Sequence, residues 1–398
     1  AESYVMMNRL VISIGALILL LPFAACGEQI VADRPPMPEP TFEMDPAGIE
    51  ISDFATGLEV VWEMRFTPDG RMLVTERAGR IRVIDADGKL REQPWAAPDR
   101  VFHSGGGGMM GLALHPDYPA TPLVYAMYTE DRASGPVNRV VRFRDTGSRG
   151  VDMEVVLDDL PAANTHNGGR IAFGPDGMLY VTIGDTGRAE TAQDVEDLRG
   201  SILRVTADGE VPDDNPWSGS PVFAIGLRNA QGLAFHPHTG ELFAADHGPS
   251  HHDQLHIVQA GGNHGWPEVL GAAGLPDYID PIAEWVPAAP PGSLLFYTHE
   301  RIPELNGELL LTSLRAEALI RIGFDDPDRP ARVDQLARWF VDRNLGTSSY
   351  GEGPSRFGRV RALALGPDGA LYIGTSNRDR GRGTIREGDD RIVRIVPR

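Results

Sequence analysis

Residues 173–182 read Phe-Gly-Pro-Asp-Gly-Met-Leu-Tyr-Val-Thr, a tight turn followed by an alternating strand. The proline presets φ for the turn and the glycine accepts a positive φ, while the alternation after them is typical of a half-buried strand. The same pattern, in which an apolar residue, any residue and proline are followed by Asp or His, returns elsewhere in the chain. The five prolines of the repeat are Pro68, Pro116, Pro175, Pro237 and Pro367.

The spacing of these prolines indicates the number of repeats. Successive gaps are 48, 59, 62 and 130 residues, so the last gap holds about two periods and one copy is expected to be degenerate. Glu-Leu-Leu-Leu-Thr at 308–312 is the candidate for that copy. Each copy precedes a further strand that often carries an arginine, such as Ile-Leu-Arg-Val at 202–205. Six copies at this period predict an all-β fold, a six-bladed β-propeller, with residues 49–51 adding a strand to the final blade and closing the ring.

The composition agrees with a fold of many short strands and turns. The 46 glycines and 32 prolines are spread along 398 residues, and a hydrophobic share of 41% is enough for a large core. The formal net charge of −19 argues against nucleic acid as a partner, because phosphate binding needs a basic face. The charge favours solubility, a neutral substrate or a cationic protein partner.

The N-terminal segment is typical of an exported protein. Met-Asn-Arg at 7–9 precedes an apolar run at 10–21 and then small residues, the order of a secretory signal. Ala-Ala-Cys at 24–26 resembles a bacterial lipobox ending in Cys26, the only cysteine, although Phe23 departs from the usual aliphatic residue and leaves plain secretory cleavage as the alternative. We expect a bacterial periplasmic protein, lipid-anchored to the membrane through that cysteine. Its expected parts are a signal peptide with lipobox at 1–26, a Pro-rich linker at 27–46 and the propeller domain at 47–398.

His166 is the first candidate for catalysis. It opens His-Asn-Gly-Gly-Arg, a Gly-rich turn just before the strand quoted above. An unperturbed imidazole titrates near neutrality, so histidine is a natural proton acceptor for an alcohol. Asp185 follows the next strand and can fix the tautomer of the histidine and raise its basicity. The alternatives are a loop histidine that only hydrogen-bonds a turn and an aspartate that only caps one.

Two pairs of residues offer groups for an anionic or carbonyl-bearing ligand. Arg228 and Asn229 place a guanidinium and an amide just before another blade strand, and the arginine fork suits carboxylate or carbonyl groups. Arg359 and Arg361 alternate within a strand and therefore face one side. They form either an anion site or an ion-paired interface.

The loop that follows Asp246 suggests a cation. Gly248 and Pro249 expose backbone carbonyl oxygens, which are hard ligands suited to calcium. Nearby histidines raise the alternative of zinc or copper, but their spacing is loop-like and no cysteine assists them. These histidines are His247, His251, His252 and His256.

Taken in order, these segments resemble the family of PQQ-dependent soluble aldose sugar dehydrogenases, also called the glucose/sorbosone dehydrogenase family. The resemblance runs from about residue 60 to residue 396. It rests on many ordered matches rather than on any single motif. The motifs include Leu-Val-Thr-Glu-Arg at 73–77, Gly-Leu-Ala-Leu-His-Pro at 111–116, His-Asn-Gly-Gly-Arg at 166–170, Arg-Asn at 228–229, His-Gly-Pro at 247–249 and Gly-Asn-His-Gly-Trp-Pro at 262–267.

The resemblance implies a reaction and the residues that perform it. His166 would be the general base that takes the proton of the anomeric hydroxyl of an aldose, supported by Asp185. The hydride would pass to PQQ, the product would be a lactone, and an external acceptor would remove the electrons. Arg228 and Asn229 would contact the quinone oxygens and stabilise the charge that develops there.

The resemblance also implies how the cofactors are held. Carbonyl oxygens of Gly248 and Pro249 would bind the calcium ion that polarises PQQ. Arg359 and Arg361 would pair with the carboxylates of PQQ. Arg315 stands where the family often has lysine and keeps the positive charge.

Three departures from the family pattern bear on cofactor binding. Gly106 and its glycine neighbours replace a glutamine that often contacts the cofactor. Glu190 and Thr191 stand where other members carry different residues near the cofactor. Gln254 replaces an acidic residue that serves a second, structural calcium in relatives, which puts that ion in doubt.

Two other classes of function fit a propeller of this kind. One is a lactonase, in which a calcium ion held by Glu76, Asn229 and Asp246 activates a water molecule. The other is a lipid-anchored binding or scaffold propeller without a cofactor. Carboxylates that converge on the channel would favour the lactonase, whereas arginines that face one cavity with His166 would favour PQQ.

Overall fold

The computed structural model describes residues 36–342, 355–381 and 383–398. Within these ranges nearly all regular structure is strand, gathered into six sheets of three to five strands. The six-bladed β-propeller predicted from the repeat is confirmed. The predicted signal peptide, lipobox and Cys26 lie outside the described residues.

The described residues form twenty-four strands. In chain order the first twelve are β1 (Thr41–Glu43), β2 (Ile49–Ala55), β3 (Val61–Phe66), β4 (Met72–Glu76), β5 (Arg80–Ile84), β6 (Met109–Leu114), β7 (Leu123–Glu130), β8 (Val137–Asp145), β9 (Gly150–Leu160), β10 (Ile171–Phe173), β11 (Leu179–Ile183) and β12 (Ser201–Val205). The others are β13 (Val222–Ala224), β14 (Ala230–Phe235), β15 (Leu242–Asp246), β16 (Asp253–Val258), β17 (Ala283–Trp285), β18 (Pro291–Phe296), β19 (Leu309–Ser313), β20 (Leu319–Phe324), β21 (Val333–Trp339), β22 (Val360–Leu365), β23 (Leu371–Thr375) and β24 (Ile392–Pro397). Short 3₁₀ turns lie at Ala189–Gln193, Pro303–Leu305 and Asp379–Gly381. In the described ranges no helix is long and apolar enough to span a membrane.

Each blade is a meander, and the strands around the axis form a closed ring. Blades one to four are β3–β5, β6–β9, β10–β13 and β14–β17; blade five is β18–β21 with β1, and blade six is β22–β24 with β2. The inner strands β3, β6, β10, β14, β18 and β22 each pack against the next, and β22 returns to β3.

The N-terminal strands complete the last two blades. β2 pairs antiparallel with β24, with Ile51 opposite Ile395, which confirms the predicted closing strand. β1 pairs in parallel with β21, with Thr41 opposite Ala337. The end of the predicted 27–46 linker is therefore an edge strand of blade five rather than free tether, because β21 offers an unpaired edge of backbone groups.

The repeated aspartate and arginine of the sequence contact each other within a blade. Gly177 closes the turn of blade three with φ +76°, and Asp176 of the same turn accepts a hydrogen bond from Arg204 Nε at 2.9 Å. In blade five Glu308 accepts one from Arg321 Nε at 2.7 Å. Glu308 therefore replaces the aspartate in the degenerate copy, which explains why the proline pattern is lost there while the strand remains.

Phe243 lies at the centre of the core between blades four and five. It is fully buried, and its ring meets those of Phe296 and Phe324 edge-on, with centroids 5.2 and 5.9 Å away. Phe243→Ala is expected to lower the free energy of unfolding by about 3–5 kcal/mol, because truncation leaves a cavity between two sheets. Urea unfolding checks this, with Met153→Ala, at a residue that is 45% exposed, as the control expected to change little.

Candidate active site

The predicted site residues lie at one end of the inner strands. His166 precedes β10, Arg228 and Asn229 precede β14, and Arg361 is the second residue of β22. Since every blade repeats the same up-and-down order, the starts of the inner strands face the same end of the propeller. The fold therefore gathers residues that are up to 195 positions apart in the sequence.

His166 and Asp185 form a short polar contact in the site. Nδ1 of His166 lies 2.6 Å from Oδ1 of Asp185. The carboxylate also accepts hydrogen bonds from the Gly187 N–H at 2.7 Å and from Trp266 Nε1 at 3.0 Å. Burial alone would raise the pKa of Asp185, but these hydrogen bonds hold it below its ordinary value. An ionised Asp185 can only accept, so Nδ1 of His166 carries the proton and the Nε2 lone pair is left for a substrate.

The backbone of His166 is held in an uncommon conformation. Its φ is +49°, in the left-handed region that costs a residue with a Cβ roughly 1–2 kcal/mol. The carbonyl of His166 accepts the N–H of Thr186 at 3.2 Å, which fixes the turn. The side chain of His166 remains 19% exposed, so the strained turn presents the ring at the surface of the site.

Arg228 and Asn229 form hydrogen bonds with the segment that carries His166 and with Asp185. The side-chain oxygen of Asn229 accepts the Gly168 N–H at 3.0 Å, and the carbonyl of Arg228 accepts the Asp185 N–H at 2.8 Å. Asp246 accepts the N–H groups of Arg228 and Asn229 at 2.8 and 2.6 Å. Burial raises the pKa of Asp246 to about 6, although these two donors pull it down. Blades three and four thus share one hydrogen-bond network.

The guanidinium of Arg228 covers the loop predicted to bind calcium. Its Nη1 donates to the carbonyl of Gly248 at 2.8 Å and to that of His247 at 3.2 Å, and its plane lies 5.4 Å from the Trp266 ring. His247 is a structural donor, since its Nε2 contacts the Pro291 carbonyl at 2.6 Å and burial lowers its pKa to about 3. The calcium role of Gly248 and of the exposed Pro249 stays a prediction.

Asp253 adds a buried carboxylate beneath the same loop. Its Oδ1 accepts the Gly248 N–H at 2.9 Å, while Oδ2 is buried without a hydrogen-bond partner among the described residues. Burial raises the pKa of Asp253 to about 7, although backbone hydrogen bonds, among them that from Gly248, lower it. With Asp246 at the start of the loop and Asp253 at its end, the local donor set is oxygen-rich, as a hard cation requires.

Arg359 and Arg361 face one side, as predicted, and both meet Asp379. Arg361 Nη2 lies 2.8 Å and Arg359 Nη2 3.5 Å from Oδ2 of Asp379, and a third arginine, Arg77, reaches its Oδ1 at 3.0 Å. Arg361 Nη1 also donates to Gln231 Oε1 at 2.9 Å. The ion-paired alternative is therefore present in the protein, and the pairing holds the guanidinium forks in place. Whether they also bind an anion stays a prediction.

Arg315 follows Leu314, a residue that contacts this arginine group. The carbonyl of Leu314 accepts a hydrogen bond from Arg359 Nη1 at 3.3 Å. The half-buried Arg315 thus follows a residue in direct contact with the group. Its role toward a cofactor stays a prediction.

The structure shows the surroundings of Gly106, Glu190 and Gln254, three residues that depart from the family pattern. Next to Gly106, the carbonyl of Gly105 accepts a hydrogen bond from Arg77. Glu190 points outward, 72% exposed and 3.5 Å from Arg188, whereas Gln254 is paired across the sheet with Glu284.

Arg77 and Trp266 were missed as site residues by reasoning from the sequence. Arg77 anchors Asp379, and Trp266 anchors Asp185. Both belong to motifs of the resemblance, at 73–77 and 262–267, and that membership was the available signal.

The two carboxylates proposed for a lactonase are each engaged by other groups of the protein. Glu76 is buried, and its carboxylate faces Arg80 at 2.7 Å and Arg82 at 3.4 Å, while that of Asp246 is occupied by backbone N–H groups of blade four. Across the described ranges, no group of three or more His, Cys, Asp or Glu side chains is arranged to hold a metal ion. The geometry does not favour the lactonase.

His264, in the loop that carries Trp266, predicts a pH-dependent stability. Burial lowers the pKa of His264 to about 4, whereas an unfolded histidine titrates near 6.5. The unfolded chain therefore takes up a proton first as the pH falls, and this part of the stability is lost between pH 6.5 and 4. The expected loss from pH 7.5 to pH 5.0 is about 2 kcal/mol. Urea unfolding at both values should show a drop smaller by that amount in His264→Phe, but not in His238→Phe, at a histidine that is 68% exposed.

The fold and this arrangement define a β-propeller whose functional groups come from the inner-strand starts of several blades. Residues 58–385 match the family model of glucose/sorbosone dehydrogenases, so the chain belongs to this family. An aldose sugar dehydrogenase of Escherichia coli is 28% identical over 377 residues, covering 89% of this chain and 94% of that one. Quinoprotein glucose dehydrogenase B of Acinetobacter calcoaceticus is 32% identical over 239 residues, 51% of this chain and 49% of its own. The PQQ-bound aldose sugar dehydrogenase of Streptomyces coelicolor superposes with a TM-score of 0.75 at 35% identity, over 88% of this chain and 99% of that one.

Proposed function

We propose that the protein oxidises an aldose at its anomeric carbon to the lactone, with PQQ and calcium as cofactors and His166 as the general base. The observation that carries the proposal is the 2.6 Å contact between His166 Nδ1 and Asp185 Oδ1. It lies in one network with Arg228 and Asn229 of the next blade. Two relatives that align along most of this chain are aldose sugar dehydrogenases, and one of them was solved with PQQ bound.

The chain's own residues move the proton. Nε2 of His166 accepts the proton of the anomeric hydroxyl, while the ionised Asp185 stabilises the imidazolium that forms. The hydroxyl oxygen keeps the electron pair of its O–H bond and forms the C=O bond of the lactone, as the anomeric carbon loses hydride. PQQ supplies the two-electron acceptor for that hydride when it is bound. An external acceptor then removes the two electrons.

The arginines fit a flat, polyanionic cofactor. Arg228, Arg359 and Arg361 lie at the starts of the inner strands of blades four and six, and fork donors suit carboxylates and quinone oxygens. Arg228 and Asn229 would hold the quinone oxygens and stabilise negative charge there. Arg359 and Arg361, already held by Asp379, would bind the carboxylates, with Arg315 near them.

Buried negative charge next to the predicted calcium ligands supports the proposal that calcium binds there. The buried carboxylate of Asp253 accepts the Gly248 N–H within the loop that carries the carbonyls of Gly248 and Pro249, and a divalent cation there would compensate its charge. The cation would polarise the cofactor.

Reconstitution tests the proposed function. The chain from residue 36 onward is incubated with PQQ and calcium, and dye reduction is measured with a panel of aldoses. We expect activity that needs PQQ, disappears with a chelator and returns with calcium. PQQ binding, followed by fluorescence quenching, without oxidation of any aldose would contradict the substrate class, and absence of PQQ binding would contradict the cofactor.

We also propose that the protein is exported to the periplasm and anchored by a lipid on Cys26. The proposal is supported by the lipobox-like residues 24–26. Fractionation of cells that express the full chain checks it. Membrane association that disappears in Cys26→Ser is expected, and an unchanged distribution of that variant would contradict the anchor.

A further inference from the structure

Arg170 ends the His-Asn-Gly-Gly-Arg segment and crosses the axis of the propeller. Its side chain is 1% exposed. Nε donates to the carbonyl of Gln231 in blade four at 2.7 Å and Nη2 to that of Gly292 in blade five at 2.6 Å. Nη1 forms an ion pair with Glu63 of blade one. One guanidinium of blade three thus holds the inner strands of three other blades.

Two residues that contact Arg170 also contact Arg361 of blade six. Its guanidinium lies 4.2 Å from the centroid of the Trp62 ring, which Arg361 approaches to 5.9 Å. The side chain of Gln231, whose carbonyl Arg170 holds, accepts a hydrogen bond from Arg361 Nη1 at 2.9 Å. Glu63 is fully buried, so its charge and that of Arg170 depend on each other.

The backbone between His166 and Arg170 has little conformational freedom. Gly168 and Gly169 have φ values of +65° and +100°. A Cβ on Gly168 would lie 2.4 Å from the Thr182 carbonyl oxygen, and one on Gly169 would lie 2.5 Å from the Met110 sulfur. The backbone at Gly168 and Gly169 therefore passes through a space too narrow for side chains, so a shift of Arg170 is expected to move His166.

We propose that Arg170 is a positioning residue for the reaction. Anchored at the axis, it fixes the placement of His166 relative to Asp185 and to the groups that blades four and six contribute. The inference rests on the proposed function, in which the base and the cofactor-binding groups come from different blades.

This role affects proton transfer more than binding. A base must lie about 2.6–3.2 Å from the proton it removes, and a misplacement of about 1 Å can cost on the order of 100-fold in rate. Ionic contacts to a cofactor weaken more gradually with distance. Loss of the anchor should therefore lower kcat while the KM for the sugar and the Kd for PQQ change little.

The test variant is Glu63→Gln/Arg170→Gln, which removes both charges of the pair together. Replacing both partners leaves neither charge of this pair buried alone. Arg65, the second partner of Glu63 at 2.6 Å, is 32% exposed and keeps its hydrogen bond to the Met64 carbonyl. The matched control is Arg71→Gln/Asp145→Asn, because that buried pair, 2.9 Å apart, connects blades one and two at the turn before β4. A second variant, Arg170→Lys, keeps the charge but not the fork.

Two readouts are measured on variants that unfold cooperatively. The first is kcat, KM and PQQ Kd of the reconstituted enzyme. The second uses the apoprotein: long-range ¹H–¹⁵N correlations of the His166 ring, assigned by their absence in His166→Ala, report which nitrogen carries the proton. In the native protein we expect the proton on Nδ1, against Asp185.

For Glu63→Gln/Arg170→Gln we expect kcat to fall by about 30- to 100-fold, with KM and Kd within about threefold, and protonation divided between Nδ1 and Nε2. Arg170→Lys should lose about tenfold in kcat, and the control pair should keep its kcat. A double variant with native kcat, or with Nδ1 still fully protonated, would overturn the proposal. If the native protein oxidises no aldose, the proposed function fails, and the apoprotein spectra alone decide whether Arg170 positions His166.

Discussion

Replacing His166 with alanine is expected to lower kcat for aldose oxidation by about 10³-fold. The ring of His166 is 19% exposed and held by Asp185 at 2.6 Å, so it is the group that can take the hydroxyl proton. The cofactor contacts assigned to Arg228, Arg359 and Arg361 do not involve the imidazole. PQQ affinity, measured by fluorescence quenching of the apoprotein, should therefore stay within about threefold while turnover is lost.

The control for this prediction is His238→Ala. His238 is 68% exposed and lies 3.8 Å from Asp328, so activity should be native. His166→Ala with more than a tenth of native kcat would remove His166 from the role of base. Loss of PQQ binding in His166→Ala would instead assign the residue to the cofactor site.

The propeller could be predicted from the sequence because each blade repeats its own turn and strand chemistry. The Pro-Asp-Gly turns and the following alternation are local signals, and the aspartate–arginine pairing, as between Asp176 and Arg204, repeats with them. The edge strand Thr41–Glu43 could not be predicted. Its pairing with β21 depends on an open edge nearly 300 residues away, and a Pro-rich stretch carries no local signal for it.

The geometry of the site was predictable where local motifs place the residues, as for the contact between His166 and Asp185. Arg170 belongs to the same motif, but nothing local shows that its side chain crosses to Glu63, Gln231 and Gly292. Asp379 begins a short 3₁₀ turn, and its importance arises only because three arginines from two blades contact it. Contacts across the axis form only when the six blades close into a ring, so no short stretch of sequence indicates them.

The second large effect concerns the cofactor and is expected for Arg361→Gln. Glutamine can still hydrogen-bond Gln231 and Asp379, the two partners of Arg361 at 2.9 and 2.8 Å, so the local structure should persist while the charge is lost. A hydrogen bond to a charged group contributes about 1.5–3 kcal/mol, so PQQ affinity should fall roughly 10- to 100-fold. Titration of the apoprotein with PQQ, followed by fluorescence quenching, measures this directly.

Arg394→Gln is the matched control for Arg361→Gln because it removes one arginine charge from the same blade. Arg394 lies on β24, 28% exposed and paired with Asp368 at 2.6 Å, so its loss should leave PQQ affinity unchanged. The affinity lost in Arg361→Gln should also shrink in high salt, since a partly screened ion pair contributes less. Equal affinity in Arg361→Gln and the native protein would mean that this arginine serves the internal pair with Asp379 alone, and the anion site would then have to be sought at Arg228 and Arg315.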